Sequence, residues 1–147
     1  MTFIMLNMQK QSIGITFSAF DLLHAGHIAM LKEAKTQCDF LICGLQVDPT
    51  MERPEKNKPI QSLIERYIQL SAVKYVDEII PYCLEEELCN ILLTYPIDVR
   101  IIGSDYKNKN FTGKSICTDN GIKIFYNSRS HNFSTSGLRK NIALKES

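Results

Sequence analysis

Apolar residues along this chain fall into two spacings that alternate from the first third to the end. Ile13-Gly14-Ile15-Thr16-Phe17 is a short run of branched and aromatic residues and reads as a β-strand. From Gly26 to about Gln37 the pattern becomes helical: Ile28, Leu31 and Ala34 can share a face, while Lys32, Glu33 and Lys35 are polar. Phe40-Leu41-Ile42-Cys43-Gly44-Leu45 is continuously apolar over strand length, as in central parallel strands buried on both faces. Ser62 predicts the N-cap of a helix running to about Val73, with Glu65 as its capping-box partner. Val76 to Ile80 reads as a strand that stops at Pro81, and Leu84 to about Tyr95 as a helix whose first turn holds Glu85-Glu86-Glu87. Val99 to Ile102 and Ile122 to Tyr126 are the last two strands, and Gly137 to about Ala143 a short closing helix. Two polar stretches read as loops: Asp48 to Pro59, with three prolines, and Lys107 to about Thr118.

The order is β-α-β-α-β-α-β-β-α. It predicts an α/β protein with a single doubly wound, five-stranded parallel sheet, Rossmann-like, and helices on both faces. Ligands of such sheets bind beyond the C-terminal ends of the strands, near the switch point in strand order. Three polar segments follow strand ends there: Ser18 to His27, Gly103 to Lys109 and Asn127 to Ser136. Residues 1–11 read as an N-terminal extension and residues 12–147 as one domain.

Composition narrows the class. With 44% hydrophobic and 22% charged residues, the chain can bury a core and stay soluble. A formal charge of +1 argues against a nucleic-acid partner. No apolar run approaches the roughly 20 residues that span a bilayer, so no membrane partner is expected. Met1 to Met8 lacks the cationic front of a signal peptide. The five cysteines form no CxxC pair, which predicts reduced thiols in a cytoplasmic protein and no protein-bound metal site.

The chemistry concentrates after the first strand. His24 and His27 bracket Gly26 where a helix begins. A helix N-terminus offers free N–H groups and a partial positive charge, and glycine lets a ligand come close. Two imidazoles there can donate to phosphoryl oxygens and stabilise charge building on phosphorus or a leaving pyrophosphate. Two histidines that merely satisfy core hydrogen bonds are the plainer alternative.

The segment Phe20-Asp21-Leu22-Leu23-His24-Ala25-Gly26-His27-Ile28 resembles the signature of the cytidylyltransferase-like nucleotidyltransferases, and most closely that of the glycerol-3-phosphate cytidylyltransferases. Tyr75-Val76-Asp77-Glu78-Ile79-Ile80-Pro81 is similar to the family's YVDEVIP stretch, and Arg129-Ser130-His131-Asn132-Phe133-Ser134-Thr135-Ser136 to its RTxGISTT motif. The resemblance implies transfer of CMP from CTP to a small phosphomonoester, with Mg2+ accompanying the nucleotide and a homodimer whose first-helix region lies near the interface. It implies that His24 and His27 stabilise the transition state, with Arg129 and Lys56 also catalytic. The nucleotide site it implies takes in Phe17, Ser18, Ala19, Phe20, Asp21, Gly26, Gly103, Asp105, Tyr106 and Arg129. Ser134, Thr135 and Ser136 complete it, the first two on the β- and γ-phosphates. Asp21, Lys58 and Arg66 are the implied substrate contacts, Asp21 also facing the Mg2+ of the nucleotide. For Arg66, a surface ion pair with Glu65 or Glu78 is the plainer alternative.

Ser18-Ala19 stand where the family has glycine and threonine, so a nucleotide-binding module without turnover is an alternative. Asp105-Tyr106-Lys107 with Gly113 resembles instead a sister group of adenylyltransferases that act on heptose phosphate, and Arg129 favours the cytidylyltransferases.

Overall fold

The computed structural model describes residues 10–128 and 133–146. Most of the predicted extension therefore lies outside the described residues. Five strands, β1 (Ile13–Ser18), β2 (Phe40–Gln46), β3 (Glu78–Tyr82), β4 (Val99–Gly103) and β5 (Lys123–Asn127), form one sheet in the order β3-β2-β1-β4-β5. Every pairing is parallel. The chain winds outward from β1 to β3 and then crosses to the other side of β1, so the switch point lies between β1 and β4.

Helices α1 (Ala25–Lys35), α2 (Leu63–Ser71), α3 (Glu85–Thr94), α4 (Lys114–Asp119) and α5 (Thr135–Glu146) connect or close the strands. Two apolar clusters separate the sheet faces. Leu31, Ala34 and Leu70 from α1 and α2 pack with Leu41, Cys43, Leu45 and Ile101. Leu88, Ile91, Leu92 and Cys117 from α3 and α4 pack with Ile15, Ile42 and Tyr82 on the opposite face. Alternation along β2 sends Leu41, Cys43 and Leu45 one way and Ile42 the other. Ile15, Leu31 and Leu41 are fully buried, each contributing about 2 kcal/mol.

Three aspartates stitch the N-terminal edge of the sheet. Asp39 accepts from the Ser12 amide at 2.9 Å, Asp98 from Ile13 at 2.8 Å and Asp77 from Leu41 at 2.8 Å. Each holds the start of a neighbouring strand and so sets register at the end away from the polar turns.

Three expectations change. Pro81 does not stop β3, which runs through it to Tyr82. The strand lies at the sheet edge, where a missing N–H is tolerated. The stretch expected to be loop up to Thr118 contains α4, opened by Gly113 at φ 83°. Parallel β4 and β5 need such a crossover, but only Cys117 of this six-residue helix is buried, so no apolar period announces it. α5 starts at Thr135 and ends at Glu146, longer than expected at both ends. Among the described residues no helix is long and apolar enough to cross a membrane.

Candidate active site

β1 ends in a strained turn. Phe20 and Leu22 both lie in the left-handed region, at φ 49° and 50°. Side-chained residues pay roughly 1–2 kcal/mol each for that conformation. Surrounding contacts hold it in place. The Phe20 ring is buried, and the Ser18 hydroxyl accepts from the Phe20 amide at 3.3 Å. The Gln61 side chain accepts from the Leu22 amide at 2.8 Å. Asp21 accepts from the amides of Gln61 at 3.0 Å and Ile60 at 2.9 Å, and from Arg139 of α5 at 2.7 Å. Burial alone would raise the Asp21 pKa; the two amides and Arg139 outweigh it and hold the carboxyl below the usual range.

The turn delivers the two histidines to the start of α1. His24 is the N-cap, and its Nδ1 accepts from the Gly26 amide at 2.9 Å. His27 Nδ1 accepts from the His24 amide at 3.2 Å, completing a capping box built from imidazoles. Each Nδ1 is thus an acceptor, which leaves the proton of the neutral ring on Nε2. The rings lie 4.0 Å apart, centroid to centroid. Burial, reinforced by His24, pushes the His27 pKa from 6.5 down to about 4 despite Asp21. His27 is therefore a neutral donor at pH 7. A Cβ on Gly26 would sit 2.7 Å from the His24 ring and 2.9 Å from the Phe133 carbonyl, so this position requires glycine.

Two clefts meet at this turn. The first, about 340 Å³, opens at the β1/β4 switch point. Of the predicted site residues it gathers Phe17, Ser18, His24, Gly26, His27, Gly103, Tyr106 and Ser134. The second, about 220 Å³, is lined by Ser18, Ala19, Phe20, Asp21, His27, Lys56 and Ser136. Ser18 and His27 line both. Ser134 also accepts from the Gly137 amide at 2.9 Å, and so caps α5 while lining the first cleft.

Other expectations come out differently. Arg66 is neither a surface ion pair nor a lining residue of either cleft. Its side chain is 2% exposed and donates to the carbonyls of Gln61 (3.2 Å), Ala19 (2.9 Å), Gln46 (2.6 Å) and Val47 (2.7 Å). It ties the ends of β1 and β2 to the start of α2, a positioning role in place of a substrate contact. Lys58 lines neither cleft; its carbonyl accepts from Arg139 at 3.3 Å. Asp105 sits in the short 3-10 turn after β4 and lines neither cleft. Asp21 is engaged by protein donors on both oxygens, and the described residues contain no group of three or more His, Cys, Asp or Glu that could hold a metal. Arg129 and the side chain of Thr135 lie outside the described residues.

Two lining residues were not among the expected site contacts. Asn127, 3% exposed at the end of β5, lines the first cleft. Arg139 lines the second and bonds Asp21. Asn127 follows directly from the end of the last strand; nothing in the spacing of α5 marks Arg139.

Residues 15–141 match the cytidylyltransferase-like family model. The chain is 33% identical over 129 residues to the glycerol-3-phosphate cytidylyltransferase of Bacillus subtilis, covering 88% of this chain and 95% of that protein. It is 38% identical over 114 residues to the bifunctional protein HldE of Helicobacter hepaticus, but spans only 23% of that longer protein. Among solved structures, a lipopolysaccharide core biosynthesis protein from Thermoplasma volcanium superposes with a TM-score of 0.70 at 28% identity, over 83% of this chain and all of that one. A pantothenate synthetase from Thermus thermophilus, at 14% identity and TM-score 0.58, shares the fold over 99% of this chain and 70% of its own. With the family model matched from β1 into α5, the chain belongs to the cytidylyltransferase-like family of nucleotidyltransferases.

Proposed function

We propose that this enzyme transfers CMP from CTP to a small phosphorylated alcohol such as glycerol-3-phosphate. The observation that carries the reading is the imidazole capping box: two Nε2–H donors at a helix N-terminus, lining the switch-point cleft. Similarity over nearly the full length of the Bacillus cytidylyltransferase supports the choice of reaction. A phosphate oxygen of the acceptor attacks the α-phosphorus in line. The bond from the α-phosphorus to the bridging oxygen breaks, and pyrophosphate leaves with the electron pair. His24 and His27 stabilise charge on the phosphoryl oxygens without taking a proton, since both Nδ1 atoms are already acceptors. Lys56, lining the second cleft, supplies a mobile positive charge for the phosphates. Arg129, Ser134 and Thr135 complete the reading as contacts to the nucleotide. Mg2+, when bound with the nucleotide, screens its phosphates; the chain positions and polarises.

A second reading is adenylyl transfer to a sugar phosphate. The Asp105-Tyr106-Lys107 segment and the similarity to the Thermoplasma lipopolysaccharide core protein favour it. Pyrophosphate release from CTP and ATP, each offered with a panel of polyol and sugar phosphates and Mg2+, separates the two. CTP dependence with a polyol phosphate is expected. Turnover only with ATP and a sugar phosphate selects the second reading. Nucleotide binding by calorimetry without turnover on any pair leaves a binding module, and Ser18, lining both clefts in place of the family's glycine, is the residue to revert.

A further inference from the structure

A third cavity, about 320 Å³, lies on the α3 and α4 side of the sheet. Its most unusual lining residue is Arg100, a cation in the middle of a buried strand, 4% exposed. The guanidinium lies 5.1 Å from the Phe17 ring centroid and 4.9 Å from that of Phe111. Its Nη1 donates to the Thr112 carbonyl. Its Nε is buried and has no hydrogen-bond partner.

The charge is also uncompensated. Glu85 is the one carboxylate among the described lining residues, and it pairs with Arg53. Arg53, Lys56 and Arg100 thus face a single acidic group. The guanidinium also bonds the neighbouring Cys117 side chain, but burial pushes that thiol up and keeps it neutral, so it brings no compensating charge. Burial pulls the Arg100 pKa down, yet a guanidinium keeps its proton. Tying down the 104–113 loop through Thr112 accounts for Nη1. It accounts neither for the idle Nε nor for a desolvated cation without an anion.

The cavity joins the nucleotide cleft, because Phe17, Ser18, Ile102 and Tyr106 line both. We propose that it is the acceptor pocket and that Arg100 selects acceptors carrying a second oxyanion, such as a carboxylate, at the end remote from the attacking phosphate. This rests on the nucleotidyl-transfer reading. The aromatic walls keep water from the guanidinium, so an entering oxyanion gains a strong charge-assisted contact. A neutral hydroxyl in its place leaves the cation unpaired.

Matched pairs test it: glycerol-3-phosphate against 3-phosphoglycerate, and erythritol-4-phosphate against 4-phosphoerythronate. For the wild type, kcat/KM is expected to favour the carboxylate member of at least one pair by about tenfold or more. In R100M the ratio should collapse to within about threefold, and R100K should fall between. Calorimetric binding of the same compounds reads the preference without turnover. No pyrophosphate with any pair, together with the expected binding preference, fails the transfer reading and keeps Arg100 as an oxyanion site. Equal kcat/KM and equal binding within both pairs in the wild type, or a preference that survives in R100M, overturns the proposal. If R100M does not fold, the wild-type ratios and R100K decide.

Discussion

An imidazole that accepts from a backbone amide is committed to one tautomer, and this chain makes that commitment twice within four residues. H24A and H27A are each expected to lower kcat by about 10²–10³ with a smaller change in KM, since the donors act mainly as charge develops. Steady-state kinetics on the best nucleotide and acceptor checks this. His27 also leaves a stability signature. Its folded pKa of about 4 lies below the ordinary 6.5, so in that interval the unfolded chain binds a proton that the folded one refuses. Stability therefore falls as pH drops from 6.5 towards 4. Urea midpoints at about pH 7 and about pH 5 should diverge for the wild type and converge for H27N. Asp21 does not confuse the result. Its folded pKa is depressed, so its contribution is lost only at pH values below that window. Arg66 is the opposite kind of residue, buried for structure. R66M leaves four backbone carbonyls without their donor and should cost about 3 kcal/mol of stability, with R66K recovering only part. The histidines were legible because their spacing around glycine is local chemistry. Arg66 was misread because its partners are carbonyls from segments up to 47 residues away, which no local pattern reports.

At the scale of elements, the site is a strained turn held by its neighbours. The Gln61 amide donates to Asp21 and the Gln61 side chain accepts from the Leu22 amide, tying the turn after β1 to the approach to α2, and Arg139 brings α5 to the same carboxylate. R139A should therefore loosen two contacts at once, that to Asp21 in the turn and that to the Lys58 carbonyl in the loop before α2. Because the second cleft that Arg139 lines shares Ser18, Ala19, Pro49 and Lys56 with the proposed acceptor pocket, a rise of several-fold in acceptor KM is expected, with nucleotide binding little changed. Equal loss of both would instead place the defect in the whole turn. The elements themselves were mostly legible. Ser62 and Glu65 form the expected capping box, and the continuous apolar run at β2 is central and buried on both faces. Failures came where context overrides local preference. Pro81 is harmless only because β3 is an edge, and α4 exists because a parallel pair demands a crossover. Arg100 was visible as a charge inside an apolar strand, but its aromatic neighbours come from β1 and the loop before α4.

Across the whole molecule the two ends of the sheet divide their duties. Aspartates fix register at the N-terminal ends of the strands, while the C-terminal ends carry the strained turn and the clefts. One surface fits neither role. Along the outer side of α2 and its approach, Ile60, Ile64, Tyr67 and Ile68 are 62%, 69%, 43% and 61% exposed. Ile64, Tyr67 and Ile68 stand three and four residues apart and share one face of α2, and Ile60 precedes it in the approach. Family resemblance implies a homodimer with its interface near the first helix, yet no large apolar side chain of α1 is exposed. The row on α2 is the better-suited face, and a second copy of the chain is the occupant we expect. Light scattering after size exclusion should then give twice the 16.8 kDa chain mass. I64E combined with I68E, both exposed and away from the clefts, should yield a folded monomer, because paired carboxylates cannot be buried against a second apolar row without large cost. A wild-type monomer removes the dimer altogether. A dimer that survives the double substitution moves the interface back towards α1.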